Sequence, residues 1–263
     1  MTVEQAQIDR QNESFWSELC GSALARSLEI TTSGPDALER FDAAYFGLYP
    51  YLAAYVDRFD LAGRPALEIG LGYGTLGQYI AERGALYHGL DIAPTPVEMM
   101  RHRLRLLGRD GDERVQQGSA LDIPWPDATF DFVYSIGCLH HTGDLERCVA
   151  EVHRVLRPDG TAIVMLYNAR SARRLLAEAR SRSAAAIRRS YDANAEGEPA
   201  PHTDFTSRRH ARQLFGAFSD VQIDGRNFDD LALRGRIVVS RDRILRTPLP
   251  RLLGLDLYIV ARK

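Results

Sequence analysis

Short apolar runs alternate with stretches of helical periodicity between residues 65 and 167, and this alternation limits the folds open to the chain. Strands that alternate with helices form a parallel sheet, because each parallel pair of strands needs a crossover connection. The alternation resumes near the C-terminus with a helix over residues 207–218. The predicted strands are Ala66–Ile69, Leu86–Leu90, Arg114–Gln116, Phe132–Ile136, Ala162–Tyr167, Val221–Ile223 and Leu255–Ala261. The pattern predicts a doubly wound α/β domain.

A glycine-rich turn with the sequence GLGYG occupies residues 70–74, directly after the first predicted strand. Glycine lets a ligand lie against backbone that side chains would otherwise block, so the turn predicts a nucleotide-like cofactor site. Thr75 stands where the dinucleotide fingerprint has its third glycine, which disfavours NAD without excluding it. Asp91 ends the next strand, about 20 residues after the turn begins, where a carboxylate can bind ribose hydroxyls.

The helix that follows Asp91 has the clearest end signals in the chain. Thr95 followed by Glu98 predicts a capping box, and Pro96 suits the first helical position. Gly108 suits the left-handed residue that ends a helix, so the pattern predicts a helix over Thr95–Leu107.

Two further segments are predicted to cover the sheet. Residues 1–60 have helical spacing that is broken at Gly34–Pro35, which predicts an N-terminal helical cover and leaves residues 61–263 for the main domain. Residues 168–205 form an insertion after the fifth strand, and this insertion begins with an arginine-rich stretch. These arginines either form a solvated helix face or belong to a substrate lid that binds an anionic or carrier-linked acceptor.

Composition and charge exclude several classes of protein. The 33 basic and 35 acidic residues give a net charge of −2, which argues against a nucleic-acid binder. Cys20, Cys138 and Cys148 form no C-x-x-C pair, so neither a disulfide framework nor a metal site is predicted. The N-terminal residues lack a signal peptide and no apolar run is long enough for a membrane span, which predicts a cytoplasmic protein. The oligomeric state is not predicted.

Several longer motifs occur in order between residues 64 and 168. They are LEIGLGYGT at the glycine turn, IPWPDATFDFV leading into the fourth strand, LHH after that strand and EVHRVLRPDG before the fifth. In these motifs the chain resembles the class I S-adenosylmethionine-dependent methyltransferases, in the branch of ubiquinone/menaquinone-type and bacterial small-molecule enzymes. The resemblance implies a Rossmann-like, mostly parallel seven-stranded sheet whose last strand, LDLYIVARK, is antiparallel. It also implies methyl transfer from S-adenosylmethionine to a small-molecule acceptor, a biosynthetic or secondary-metabolite intermediate, without a metal.

The resemblance also implies which residues bind the cofactor. Glu68 and the glycine turn face its methionine end, and Asp91 binds its ribose. The family commonly has an aspartate for the adenine amino group where this sequence has Ser119, so the Ser119 hydroxyl or the neighbouring backbone must replace it. The implied cofactor-binding residues are Glu68, Gly70, Leu71, Gly72, Gly74, Asp91, Ile92, Met100, Ser119, Ala120, Leu121, Ser135, Ile136 and Gly137.

His140 and His141 follow the fourth strand at the carboxyl edge of the sheet, where open α/β folds bind their ligands. Either imidazole can be the general base for an acceptor that must lose a proton, or the pair is structural. Asp144 can orient one imidazole or cap the next helix, and Tyr167 can position the acceptor. Two other functions stay open: a catalytically silent methyltransferase-like binding protein and an NAD-dependent oxidoreductase.

Overall fold

The computed structural model describes residues 2–19, 21–111, 113–233 and 236–263, so Cys20 lies outside the described residues. The helices are α1 (Val3–Trp16), α2 (Ser22–Ser27), α3 (Pro35–Leu48), α4 (Ala53–Asp57), α5 (Thr75–Glu82), α6 (Pro94–Leu106), α7 (Leu145–Val155), α8 (Ala172–Ala179), α9 (Ala184–Arg189), α10 (Arg208–Leu214), α11 (Arg241–Leu245) and α12 (Leu249–Leu253). The strands are β1 (Pro65–Ile69), β2 (Leu86–Asp91), β3 (Val115–Gln117), β4 (Phe130–Ile136), β5 (Leu156–Tyr167), β6 (Asp220–Arg226), β7 (Leu231–Leu233), β8 (Arg236–Val239) and β9 (Asp256–Arg262). A short 3-10 helix, Leu139–His141, follows β4.

Seven strands form one sheet in the order β3-β2-β1-β4-β5-β9-β6. The pairs among β1 to β5 are parallel, whereas β9 runs antiparallel to both β5 and β6. The predicted doubly wound fold and its antiparallel last strand are therefore confirmed. Strands β7 and β8 pair with each other in a separate antiparallel hairpin.

Apolar side chains cover both faces of the central strands. On one face Leu67 and Val133 pack with Val152 of α7, and on the other face Phe132 packs in a cluster with Ile80 of α5. Strands that are buried on both faces need nearly continuous apolar sequences, which explains the runs that predicted them. Polar groups of a site can then lie only where these strands end.

All of the predicted strands are present, and the bounds of most of them differ from the predictions by one to three residues. The largest difference is in β5, which begins at Leu156 rather than Ala162, because Leu156 pairs with Phe130 across a register shift in β4. The capping box prediction was wrong: α6 begins at Pro94, its N-cap is Ala93, and no side chain caps it. The carboxylate of Asp91 holds the Ala93 N–H at 2.9 Å, and the helix begins one residue earlier than predicted.

The predicted helices of the first 60 residues are confirmed, including the break at Gly34–Pro35, where Gly34 is the N-cap of α3. The first of these helices, α1, already begins at Val3. The division into an N-terminal cover, a main domain and a lid over residues 168–205 stays a prediction. Within the described residues, no helix is both long and apolar enough to cross a membrane.

A fully buried arginine joins the N-terminal helices to the glycine turn. Arg103 of α6 donates to both carboxylate oxygens of Asp42 in α3, at 2.8 and 2.9 Å. It also donates to the Gln78 side chain and to the Tyr73 carbonyl, each at 2.7 Å. An arginine away from water requires such partners, because an unpaired buried charge is strongly destabilising.

We expect Asp42→Ala to lower the free energy of unfolding by about 2–4 kcal/mol, because it leaves the buried Arg103 guanidinium without its counter-ion. Urea unfolding followed by circular dichroism measures this change. Glu39→Ala is the matched control, since Glu39 is exposed on the same helix and its loss should change stability by less than about 0.5 kcal/mol. Equal stability of the two variants would contradict the role assigned to Arg103.

Candidate cofactor and acceptor site

A cavity opens where β1, β2 and β4 end, between the loops that follow them and helices α1 and α3. Its lining brings together the glycine turn, the carboxylate at the end of β2 and one of the two predicted bases, His141. The predicted cofactor residues on this lining are Glu68, Gly70, Leu71, Gly72, Asp91, Ile92, Ser119, Ala120, Ile136 and Gly137.

The other predicted site residues lie around the cavity rather than on its wall. They are Gly74, Met100, Leu121, Ser135, His140 and Tyr167. Met100 and Leu121 are buried in the apolar core beneath the turn. The Ser135 hydroxyl donates to the Ile69 carbonyl at 2.9 Å, which joins the ends of β4 and β1. These residues support the cavity wall from behind.

The glycine turn has a backbone shape that side chains would prevent. Gly70 has φ 84°, and a Cβ at this position would lie 2.4 Å from Cβ of Cys138. Gly72 and Gly74 also have positive φ, at 51° and 78°. The turn therefore presents bare backbone to the cavity and packs closely against the loop after β4.

Asp91 is the central polar group of the site. One of its carboxylate oxygens accepts the Leu71 N–H at 2.7 Å, and the other accepts the Ala93 N–H at 2.9 Å. Burial raises the pKa of Asp91 to about 6, although the backbone amides that donate to the carboxylate favour its ionised form and lower the pKa. Each oxygen keeps a second lone pair, so the ionised carboxylate can still accept hydroxyl groups from a ligand.

Glu68 lies deeper in the cavity wall. The Tyr87 hydroxyl donates to Glu68 Oε2 at 2.5 Å, and burial raises the pKa of Glu68 to about 8. A Cβ at Gly77 would lie 2.5 Å from the same oxygen, so this glycine makes room for the carboxyl group. In the folded chain Glu68 therefore holds a proton near neutral pH until a cation binds beside it.

Acidic side chains line the cavity wall. They are Asp9, Glu68 and Asp91, of which Glu68 holds its proton near neutral pH, and no lining residue in the described part of the chain is an arginine or a lysine. A cation gains electrostatic energy beside such a wall, whereas a diphosphate is repelled by it. The wall therefore fits a positively charged ligand.

Helix α1 closes one side of the cavity, which the sequence did not reveal. Asn12 donates from Nδ2 to the His141 carbonyl at 2.7 Å, and Gln5 donates to the Thr142 carbonyl at 2.7 Å. Asn12 Oδ1 is buried and has no hydrogen-bond partner among the described residues. Asp9 and Trp16 also line the cavity from this helix. The spacing of residues 5, 9, 12 and 16 puts them on one helix face, and this was the available signal.

His141 has the geometry of a base. Its side chain is buried, with the residue 3% exposed, and Nδ1 lies 2.7 Å from the His202 carbonyl oxygen. A carbonyl only accepts, so Nδ1 carries the hydrogen and Nε2 bears the lone pair. Nε2 has no hydrogen-bond partner among the described residues. Burial lowers the pKa of His141, so its ring is neutral at neutral pH.

Asp192, which lies in the 168–205 insertion, is the charged neighbour of this ring. Its Oδ2 atom is 3.5 Å from His141 Nε2 and accepts the Tyr167 hydroxyl at 2.8 Å. The negative charge of Asp192 raises the pKa of His141 and opposes the larger effect of burial. Asp144 accepts the Arg147 N–H at 3.0 Å and so caps α7. Of the two roles predicted for Asp144, the helix cap is confirmed.

His140 has a different environment from its neighbour. The side chain is fully buried outside the cavity wall, and its ring lies 4.1 Å from that of Tyr167 and 4.2 Å from that of His141. Burial, together with the neighbouring His141, lowers the pKa of His140 well below its ordinary value. His140 therefore packs beneath the site as a neutral ring.

Residues 67–164, which carry the turn, Asp91 and both histidines, match the family described as a methyltransferase domain. In this match and in its sheet topology, this part of the chain is similar to the class I S-adenosylmethionine-dependent methyltransferases. The chain is 35% identical over 133 residues to a fatty-acid O-methyltransferase of Mycolicibacterium smegmatis, covering 50% of this chain and 45% of that protein. It is 30% identical over 107 residues to a demethylmenaquinone methyltransferase of Tropheryma whipplei, covering 41% and 43%. The chain thus spans less than half the length of these curated relatives.

Several solved structures of methyltransferases have the same fold as this chain and match most of its length. An S-adenosylmethionine-dependent methyltransferase from Thermotoga maritima superposes with a TM-score of 0.55 and 19% identity, covering 86% of this chain and 97% of that one. A second, from Mesorhizobium loti, gives a TM-score of 0.54 and 18% identity, covering 82% and 97%. At such identities the likeness concerns the fold alone.

We expect Glu68→Gln to stabilise the protein at high pH and to leave it nearly unchanged at low pH. The unfolded carboxyl group loses its proton near the model value of 4.5, whereas the folded one keeps it to about 8. Because the folded state binds the proton more tightly, wild-type stability falls relative to the variant as pH rises through this window. Urea unfolding should give a gain of about 2–4 kcal/mol at about pH 8.5 and little at about pH 4. The exposed Glu82→Gln is the control, and a gain that is independent of pH would count against the shift.

Proposed function

We propose that this chain transfers a methyl group from S-adenosylmethionine to a small-molecule acceptor. The observation that carries the proposal is the cavity wall with the carboxyl groups of Asp9 and Asp91, without an arginine or a lysine among the described lining residues. S-adenosylmethionine brings a sulfonium and an ammonium cation, which such a wall attracts. NAD brings a diphosphate, which the wall repels, and the turn has Thr75 in place of the glycine that seats a diphosphate.

The residues of the cavity fit the groups of this cofactor. Asp91 has lone pairs free for the ribose hydroxyls, and the turn from Gly70 to Gly72 offers backbone without side chains. Asn12 Oδ1 is a buried acceptor that a donor group of the ligand would satisfy. Bound S-adenosylmethionine supplies a methyl group that is already activated by the sulfonium. The protein then has to align the acceptor, exclude water and remove a proton, and helix α1 supports the exclusion of water.

We assign the removal of the proton to His141. His141 lines the cavity, and its Nδ1–H is held by the His202 carbonyl. When Nε2 takes a proton from the acceptor, the imidazolium that forms lies 3.5 Å from the Asp192 carboxylate, which stabilises it. A base that is prepared in this way supports an enzyme over a catalytically silent binding protein.

We further propose that the acceptor is a neutral, largely apolar molecule with a hydroxyl group, covered by residues 168–205. The names of the relatives, a fatty-acid and a demethylmenaquinone methyltransferase, support this class. Arg173 and Arg174 in the insertion already pair with Asp229 and Glu178, which leaves them less available to bind an anionic or carrier-linked acceptor. The cytoplasmic location remains part of this proposal.

We expect the affinity for S-adenosylhomocysteine to fall by about tenfold between about pH 7.5 and about pH 5, because protonation of Asp91 near pH 6 removes the acceptor of the ribose hydroxyls. Asp91→Asn should weaken binding by about 10- to 100-fold at neutral pH and abolish this pH dependence. Titration calorimetry measures both effects, and the exposed Asp122→Asn is the control. A flat profile for the wild type would remove Asp91 from the ribose site.

We expect His141→Gln to lower turnover by about 10²- to 10⁴-fold while cofactor affinity changes little. His140→Gln is the matched control and should keep turnover within about tenfold, because His140 lies off the cavity wall. Release of S-adenosylhomocysteine with a hydroquinone as acceptor is the measurement, because the hydroquinone hydroxyl must lose a proton. Asp192→Asn should shift the midpoint of the wild-type pH profile to lower pH, since it removes the charge that raises the pKa of His141. If both histidine variants turn over at the wild-type rate, neither histidine is the base.

A further inference from the structure

The β7–β8 hairpin exposes apolar side chains. Ile237 and Val238 are neighbours in β8 and are 63% and 62% exposed. Leu231 in β7 is 40% exposed. The hairpin strands pair only with each other among the described strands, so no strand of the seven-stranded sheet extends the hairpin. An isolated hairpin of this kind is marginal in water, which implies that something else covers it.

The same stretch of chain is strongly basic. Residues 231–253 contain six arginines and one acidic residue, although the whole chain has a net charge of −2. The exposed guanidinium groups with no ion pair in the described structure belong to Arg236, Arg243, Arg246 and Arg251. Beside Arg251, Leu252 is 70% exposed, the most exposed leucine described. Apolar and cationic side chains thus share one exposed segment.

This segment leaves and rejoins the sheet at the edge where the cavity opens. Asp256, which begins β9 just after the segment, pairs in register with Tyr167 at the end of β5. The Leu255 N–H bonds to the Asn227 carbonyl just before the segment begins. Arg241 donates to the carbonyl of Leu48, the last residue of α3, and α3 brings Tyr45 to the cavity. The basic apolar surface therefore belongs to the same edge of the molecule as the candidate site.

We propose that Leu231 and residues 236–253 dock this protein on an anionic phospholipid bilayer. The guanidinium groups complement anionic headgroups, and the exposed apolar side chains of the hairpin can lie among the acyl chains near the interface. The four exposed guanidinium groups without an ion pair in the described structure favour an anionic surface over a neutral one. This docking is independent of methyl transfer, so it can be tested without an acceptor, and a failure of either proposal leaves the other standing.

The test is sedimentation of the full chain with vesicles of phosphatidylcholine alone and of phosphatidylcholine mixed with phosphatidylglycerol. We expect binding to the anionic vesicles to exceed binding to the neutral ones by at least about tenfold and to weaken as salt is added. Equal or absent binding to the two kinds of vesicle would overturn the proposal.

Two sets of substitutions separate the apolar and the charged contributions. Ile237→Ser with Val238→Ser, and Arg243→Gln with Arg246→Gln and Arg251→Gln, should each lower binding to anionic vesicles by about tenfold or more. Leu106→Ser is the matched control, because Leu106 is a 45% exposed leucine of α6, and its vesicle binding should equal that of the wild type.

Two further measurements keep the result interpretable. Unchanged thermal unfolding and unchanged S-adenosylhomocysteine affinity show that the hairpin variants are folded, since none of the substituted residues lines the cavity. Size-exclusion chromatography reports the oligomeric state. Hairpin variants that bind vesicles like the wild type, or a dimer that these variants dissociate, would overturn bilayer docking, and the dimer would show that a second copy covers the hairpin.

Discussion

The Asp91 carboxylate joins the parts of the structure on which the site depends. One of its oxygens holds the backbone of the glycine turn at Leu71, and the other holds the backbone that starts α6 at Ala93. The turn after β1 and the helix after β2 are therefore fixed by a single buried side chain. The same carboxylate also faces the cavity. Protonation of Asp91, whose pKa burial raises to about 6, therefore affects both ligand affinity and the hydrogen bonds that hold the local backbone.

Positive charge is distributed so that the cavity stays acidic. Lys263 is the only lysine, so almost all basic groups are guanidinium groups. Their planar array of donors lets Arg103 be fully buried, with Asp42, Gln78 and a carbonyl as partners. Other arginines lie on the outer surface, densely in residues 236–253, and the described cavity lining contains no arginine or lysine. Buried carboxyl groups are consequently left to determine which ligands the cavity accepts.

Two segments far apart in sequence, α1 and the 168–205 insertion, hold His141 in place. Helix α1 binds the carbonyl of His141 through Asn12, and the insertion binds the ring through the His202 carbonyl. Asp192 approaches the remaining nitrogen while it accepts the Tyr167 hydroxyl. Each contact removes freedom from the ring, so the orientation of its lone pair is set before a ligand binds. The segments that cover the cavity, α1 and the insertion, are thus linked to each other through the proposed base, His141.

The sequence by itself determined the architecture, the glycine turn and the place of Asp91. Alternating apolar runs can only form a crossover-connected sheet, and the ends of parallel strands bring their following loops to one edge. Local signals failed where a distant contact opposed them: Thr95 and Glu98 suggest a cap, but the hold of Asp91 on Ala93 starts the helix at Pro94. The tertiary structure alone placed α1 over the cavity, because Asn12 and His141 lie 129 residues apart. It also separated His140 from His141, since one step along a 3-10 helix turns one ring into the packed interior and the other onto the cavity wall.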